Sequence, residues 1–129
     1  MLNDKVILIV DDDLTLLEMY VERIKAEGAV VIQAQDGEEA LAQARDDHPH
    51  LILLDIMMPK VNGLEVLKQL KADEATSMIP IILLSALADE ERKKLAFSLG
   101  AADYIVKSET LPGDVIEKLK KALAPKTTE

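Results

Sequence analysis

Cysteine and tryptophan are missing from this 129-residue chain, and only 2% of its residues are aromatic. Without cysteine there is no disulfide framework and no thiolate-ligated zinc. Without aromatics the core must be aliphatic, and an apolar fraction of 49% is enough to fill one ordinary domain. Residues 1–5 lack a basic stretch leading into an apolar one, so no secretory signal is read. The longest apolar stretch, Ile79 to Ala88, is interrupted by Pro80 and Ser85. It falls far short of the ~18–20 residues that span a bilayer. A soluble, cytoplasmic domain without membrane insertion is expected. Basic residues are also in the minority, and the formal net charge is −9. Such a surface repels phosphate backbones, so direct nucleic-acid binding is not expected. The acidic balance itself has two readings: plain solubility, or carboxylates gathered to hold a cation.

Short apolar runs alternate with amphipathic segments. Lys5–Val10 (KVILIV), Val30–Ala34, Leu51–Leu54 (LILL), Pro80–Leu84 and Tyr104–Val106 read as strands, several of them continuous enough to be buried on both faces. Between the first two, Leu16, Leu17, Tyr20, Val21 and Ile24 recur at helical spacing until Gly28. Asp36-Gly37-Glu38-Glu39 resembles a capping box, and Asn62 starts a helix carrying Leu64, Leu67 and Leu70. The acidic Asp89, Glu90 and Glu91 suit the N-terminus of a fourth helix reaching Gly100. Pro112 suits the first turn of a fifth, whose apolar face is Val115, Ile116, Leu119 and Leu123. Five βα units with no spare segment predict an α/β fold, a (βα)5 three-layer sandwich whose parallel sheet is covered on both faces. The flavodoxin-like, doubly wound strand order 2-1-3-4-5 is the one expected, because it makes neighbours of strands one, three, four and five, whose ends carry the polar residues described next. Residues 1–124 read as one domain, and 125–129 as a tail or the start of a linker.

Open α/β sheets bind ligands past the C-terminal ends of their strands. Strand one ends at Asp11-Asp12-Asp13, strand three at Asp55, strand four at Ser85-Ala86 and strand five at Lys107. Singly, each residue has an ordinary explanation. Asp13 suits a helix N-cap, a lone lysine a solvated charge, a lone serine a turn. Their joint occurrence at every relevant strand end has none. Carboxylates held together repel, and a divalent cation relieves that repulsion. Mg²⁺ is commonly held by one or two carboxylates, water and phosphate oxygens. A carboxylate is also a competent nucleophile for phosphorus, and phosphoryl transfer needs chiefly positioning and charge neutralisation.

The segments KVILIVDDD, LILLDIMMPKVNGLEVL, IILLSA and GAADYIVK resemble a two-component response-regulator receiver domain of the chemotaxis-regulator type, over nearly the whole chain. Most specific is Asp55-Ile56-Met57-Met58-Pro59-Lys60-Val61-Asn62-Gly63, which matches the family's Asp-x-x-Met-Pro-x-x-Asp/Asn-Gly. The resemblance implies that Asp55 is the phosphoacceptor and that Asp12, Asp11, Asp55 and the Met57 backbone carbonyl surround Mg²⁺. It implies that Ser85 hydrogen-bonds a phosphoryl oxygen, with Ala86 leaving room beside it, and that Lys107 pairs with the phosphoryl group. Tyr104 matches the aromatic that family members rotate inward when the hydroxyl residue moves. Its plain alternative is a half-buried strand aromatic with a wet hydroxyl. A histidine kinase, a phosphotransfer protein or a small phosphodonor would supply the group. A downstream protein would read the face of helix four, strand five and helix five. Such a domain catalyses only its own phosphorylation and dephosphorylation. Met57 and Leu87, both apolar, are expected to hinder the water that removes the phosphate.

Two other readings compete. A haloacid-dehalogenase-type phosphohydrolase would use Asp11 as nucleophile and Asp13 as general acid in Asp11-Asp12-Asp13-Leu14-Thr15. That reading lacks a strand for its last acidic motif and leaves Asp55 and the Met-Pro loop unexplained. A phosphorylation-independent interaction module would have no use for the intact Asp11, Asp12, Asp55, Ser85 and Lys107. One departure from the family remains: Ser108 stands where most receivers have a proline joined by a cis bond to the lysine. A cis bond to a non-proline residue costs ~2.5–4 kcal/mol, so a trans Lys107–Ser108 bond is expected.

Overall fold

A computed structural model of the chain describes residues 2–11, 14–56, 62–86, 89–107 and 110–123. The elements alternate as expected: β1 (Val6–Val10), α1 (Leu14–Ala26), β2 (Val30–Ala34), α2 (Gly37–Asp47), β3 (Leu51–Asp55), α3 (Gly63–Ala72), β4 (Ile81–Ser85), α4 (Glu90–Ser98), β5 (Asp103–Val106) and α5 (Pro112–Leu123). All strands pair in parallel in the order β2-β1-β3-β4-β5. The topology reverses direction beside β1 and β3, where doubly wound folds place their ligands.

Alternation along the strands divides the core into two layers. Leu8, Val10, Ile52, Leu54, Ile81 and Leu83 face one way and meet Ala40, Leu41 and Ala44 of α2 and Val66, Leu67 and Leu70 of α3. Ile7, Ile9, Leu51, Leu53, Ile82 and Leu84 face the other and meet Tyr20, Val21 and Ile24 of α1 and Val115, Ile116 and Leu119 of α5. The central strands β3 and β4 are buried throughout, which is why their sequences are unbroken aliphatic runs.

The capping signals act where the sequence places them. Asp36 accepts a hydrogen bond from the Glu39 N–H at 2.9 Å, and Asn62 accepts from the Leu64 N–H at 2.8 Å. Asp89 stands outside α4 as its N-cap, accepting from the N–H groups of Glu91 and Arg92 at 3.0 and 3.2 Å. The helix stops at Ser98, one turn's fraction short of the expected Gly100. Strands three and four run one residue further than expected, so Asp55 and Ser85 are their last residues and are held by the sheet itself. Among the described residues no helix is long and apolar enough to cross a membrane.

Candidate functional site

Parallel pairing brings three of the expected residues to one edge of the sheet, and the residue following β5 joins them. The register sets Asp55 beside Leu84, one residue before Ser85, and sets Ser85 beside Val106, one residue before Lys107. Asp11 directly follows β1, its N–H bonded to the Ala34 carbonyl of β2 at 3.1 Å. Asp11 and Ser85 are fully buried and Asp55 is 3% exposed. Carboxylates are seldom removed from water without a charge to meet them.

That charge is Lys107. Its Nζ lies 3.0 Å from Asp11 Oδ2 and 3.3 Å from Asp55 Oδ1. One ammonium therefore joins the ends of β1 and β3 from its position after β5. Burial alone draws the Lys107 pKa down. The Asp11 hydrogen bond and the charges of Asp55 and Asp11 outweigh burial and leave it above its ordinary value. Lys107 is accordingly a cation at neutral pH.

The backbone of Asp55 is held from behind. Gly63, the first residue of α3, donates its N–H to the Ile56 carbonyl at 2.8 Å. A side chain at 63 would strike the carbonyl oxygen of Asp55 and the Cα of Ile56. The Asn-Gly pair thus has two jobs: Asn62 caps the helix and Gly63 lets that helix press against the strand end.

Tyr104 is 5% exposed, a buried ring among Leu54, Leu83 and Ala101 rather than a half-exposed one. Tyr20 of α1 is a neighbour that sequence patterning assigned only to the core. Burial raises its hydroxyl pKa, and the charges of Lys107, Asp11 and Asp55 all reach it. Helical spacing could not distinguish this position from any other core position. Asp12, Asp13, Met57, Leu87 and Ser108, and with Ser108 the Lys107–Ser108 bond, lie outside the described residues.

The donor set suits a hard cation. Two buried carboxylates outnumber the single ammonium between them, and their oxygens match the preference of Mg²⁺. Among the described residues no three carboxylate, imidazole or thiolate groups form a closed cage. Mg²⁺ does not require one, since it keeps several of its waters.

Comparison with known proteins decides the family. The model of the response regulator receiver domain matches residues 7–120. The chain belongs to that family. It is the receiver domain of a two-component response regulator, not a classical enzyme. It is similar to the alkaline phosphatase synthesis transcriptional regulatory protein PhoP of Bacillus subtilis, 43% identical over 104 residues, 81% of this chain and 42% of that protein. It is also similar to the phosphate regulon transcriptional regulatory protein PhoB of Pseudomonas aeruginosa, 40% identical over 119 residues, 92% of this chain and 52% of that protein. The receiver thus spans about half the length of these curated relatives. Among solved structures, the CheY-like receiver domain protein of Methanospirillum hungatei matches with a TM-score of 0.85 at 33% identity, covering 94% of each chain. The chemotaxis response regulator CheY4 of Vibrio cholerae matches with a TM-score of 0.87 at 28% identity, over 94% of this receiver and all of that chain.

Proposed function

We propose that Asp55 is the phosphoacceptor of this receiver, taking its phosphoryl group from a histidine kinase, a phosphotransfer protein or a small phosphodonor. The observation that carries this reading is the Lys107 ammonium lying between Asp11 and Asp55, with the buried Ser85 at the next strand end. In the reaction an Asp55 carboxylate oxygen forms a bond to phosphorus as the donor's N–P or O–P bond breaks. The product is an acyl phosphate, and the leaving group takes the electron pair. Lys107 would neutralise the incoming oxygens, and the Ser85 hydroxyl would donate a hydrogen bond to one of them. Asp11, Asp12, Asp55 and the Met57 carbonyl would hold Mg²⁺. Bound there, Mg²⁺ offsets charge on the phosphoryl oxygens.

The switch would run through Ser85 and Tyr104 to the face of α4, β5 and α5, where a downstream protein reads it. The domain works in the cytoplasm and catalyses only its own phosphorylation and dephosphorylation. Any contact with DNA belongs to a partner or another domain, since a surface of net charge −9 opposes it. Incubation with Mg²⁺ and an acyl phosphate, followed by peptide mapping, tests the assignment. An acid-stable, base-labile phosphate on Asp55, absent from Asp55→Asn, is expected. Label on Asp11 would overturn the reading in favour of hydrolase chemistry.

A further inference from the structure

The opposite end of the sheet has the opposite charge. A half-open cavity of about 890 Å³ lies beside the start of β4 and β5. Lys71, Lys118 and Lys121 are the cations of its lining, which also includes Met78 and Gly100. Asp103 is the one carboxylate in the lining, and it is already matched by Lys118 at 3.3 Å. A patch of net positive charge is unusual in a chain of net charge −9.

Lys71 sharpens the point. Its stem runs close against Gly100, whose φ is +105°. Its Nζ donates to the Ser77 and Ile79 carbonyls at 3.0 and 2.9 Å. An ammonium has three N–H groups, so one remains after these two bonds. Among the described residues no carboxylate pairs with Lys71, and burial alone lowers its pKa. A partly desolvated cation without a counter-anion gains from any anion brought beside it. Lys121, exposed at the rim, likewise has no ion-pair partner among the described residues.

The apolar part of the cavity narrows the occupant. Met78 is 89% exposed. An exposed, flexible thioether is common on surfaces that receive other proteins' side chains. The volume lies in the upper range of ligand pockets, well beyond one inorganic ion. We infer that this groove is a docking site for an acidic peptide segment of a partner protein, its carboxylates on Lys71 and Lys121 and an apolar side chain on Met78. The site is separate from phosphorylation. A five-residue strand is roughly 16 Å long, and β4 and β5 carry the groove at one end and Ser85 and Lys107 at the other.

The test is an NMR titration of the ¹⁵N-labelled chain with acetyl-Glu-Leu-Glu-Glu-amide, its Gln-Leu-Gln-Gln counterpart and sodium sulfate. The acidic peptide should shift the amides of Gly100, Ala102 and Lys121, and the neutral one should not. Lys121→Glu changes an exposed residue, so folding is not at stake. It should weaken binding about threefold or more, the scale of a lost exposed ion pair. Lys93→Glu on α4 alters total charge equally and should leave the affinity within about twofold. Absence of shifts, equal binding by the neutral peptide, or equal weakening by Lys93→Glu would overturn the inference. Sulfate reproducing the same shifts at the same concentration would reduce the groove to an adventitious ion site only and would overturn it too. None of these results bears on Asp55.

Discussion

Helices α4 and α5 flank β5, yet the chain holds them by different means. α5 buries Val115, Ile116 and Leu119 against the sheet and ties its end to the residue following α1 through Lys120 and Glu27 at 2.9 Å. α4 fully buries only Ala96, while Leu95 and Phe97 are 48% and 42% exposed. One helix is fixed by the core, and the other rests mainly on its cap. Elements with few buried apolar contacts open at low free energy. The face proposed to switch thus pairs an anchored half with a lightly held half, an arrangement that suits a change of shape.

The largest expected effect tests the anchored half. Leu119→Ala removes a fully buried side chain and should cost ~2–5 kcal/mol in urea unfolding. A loss under about 1 kcal/mol would remove α5 from the core. Next comes the cap of α4. Asp89→Ala deletes the acceptor for two helix N–H groups and should cost ~0.5–2 kcal/mol, with hydrogen exchange accelerating in α4 and not in α5. Uniform acceleration over both helices would erase the contrast. Leu95→Ala, at a half-exposed position, should stay within ~0.5 kcal/mol. A loss matching that of Leu119→Ala would show α4 to be as firmly packed as α5.

The smallest effect concerns the tie at the end of α5. The Lys120 hydrogen bond lowers the Glu27 pKa from 4.5, and the same bond raises that of Lys120 from 10.5. The stabilisation from Glu27 is therefore present above pH 4.5 and fades as pH falls through its lowered value. The share from Lys120 is complete below pH 10.5 and fades as pH rises through its raised value. In an NMR titration, Lys120→Gln should return Glu27 to an ordinary carboxylate value. A Glu27 that already titrates normally in the unaltered chain would mean that the tie is absent in solution.

The fold was legible because each buried strand is a short aliphatic run and each helix start carries a cap. The runs LILL and IILL read as interior strands, and a parallel sheet then followed from the alternation. Asp11, Asp55, Ser85 and Lys107 were legible as strand-end residues, since topology alone brings such positions together. Their mutual distances were not. Nothing in Val106-Lys107 says that one ammonium reaches two strands. Gly63 could be read as a helix start but not as the residue that lets α3 press against Asp55. Lys71 carried no signal in the sequence, because its two carbonyl partners depend on the path of the following loop. Tyr20 fitted a helical stripe whether or not the site's charges reached it.

The Lys107 bridge also has a consequence for the birth of the domain. A ribosome delivers Asp11, then Asp55, then Ser85, and the ammonium last, 96 residues after the first carboxylate. Until β5 docks, a nascent sheet of β1, β3 and β4 brings Asp11 and Asp55 together without Lys107, and buried like charges oppose such an arrangement. Contacts this distant in sequence also form slowly. Docking of the final strand therefore relieves a repulsion between the ends of β1 and β3, and a chain stalled after β4 is expected to hold this end less firmly, more exposed to chaperones and proteases.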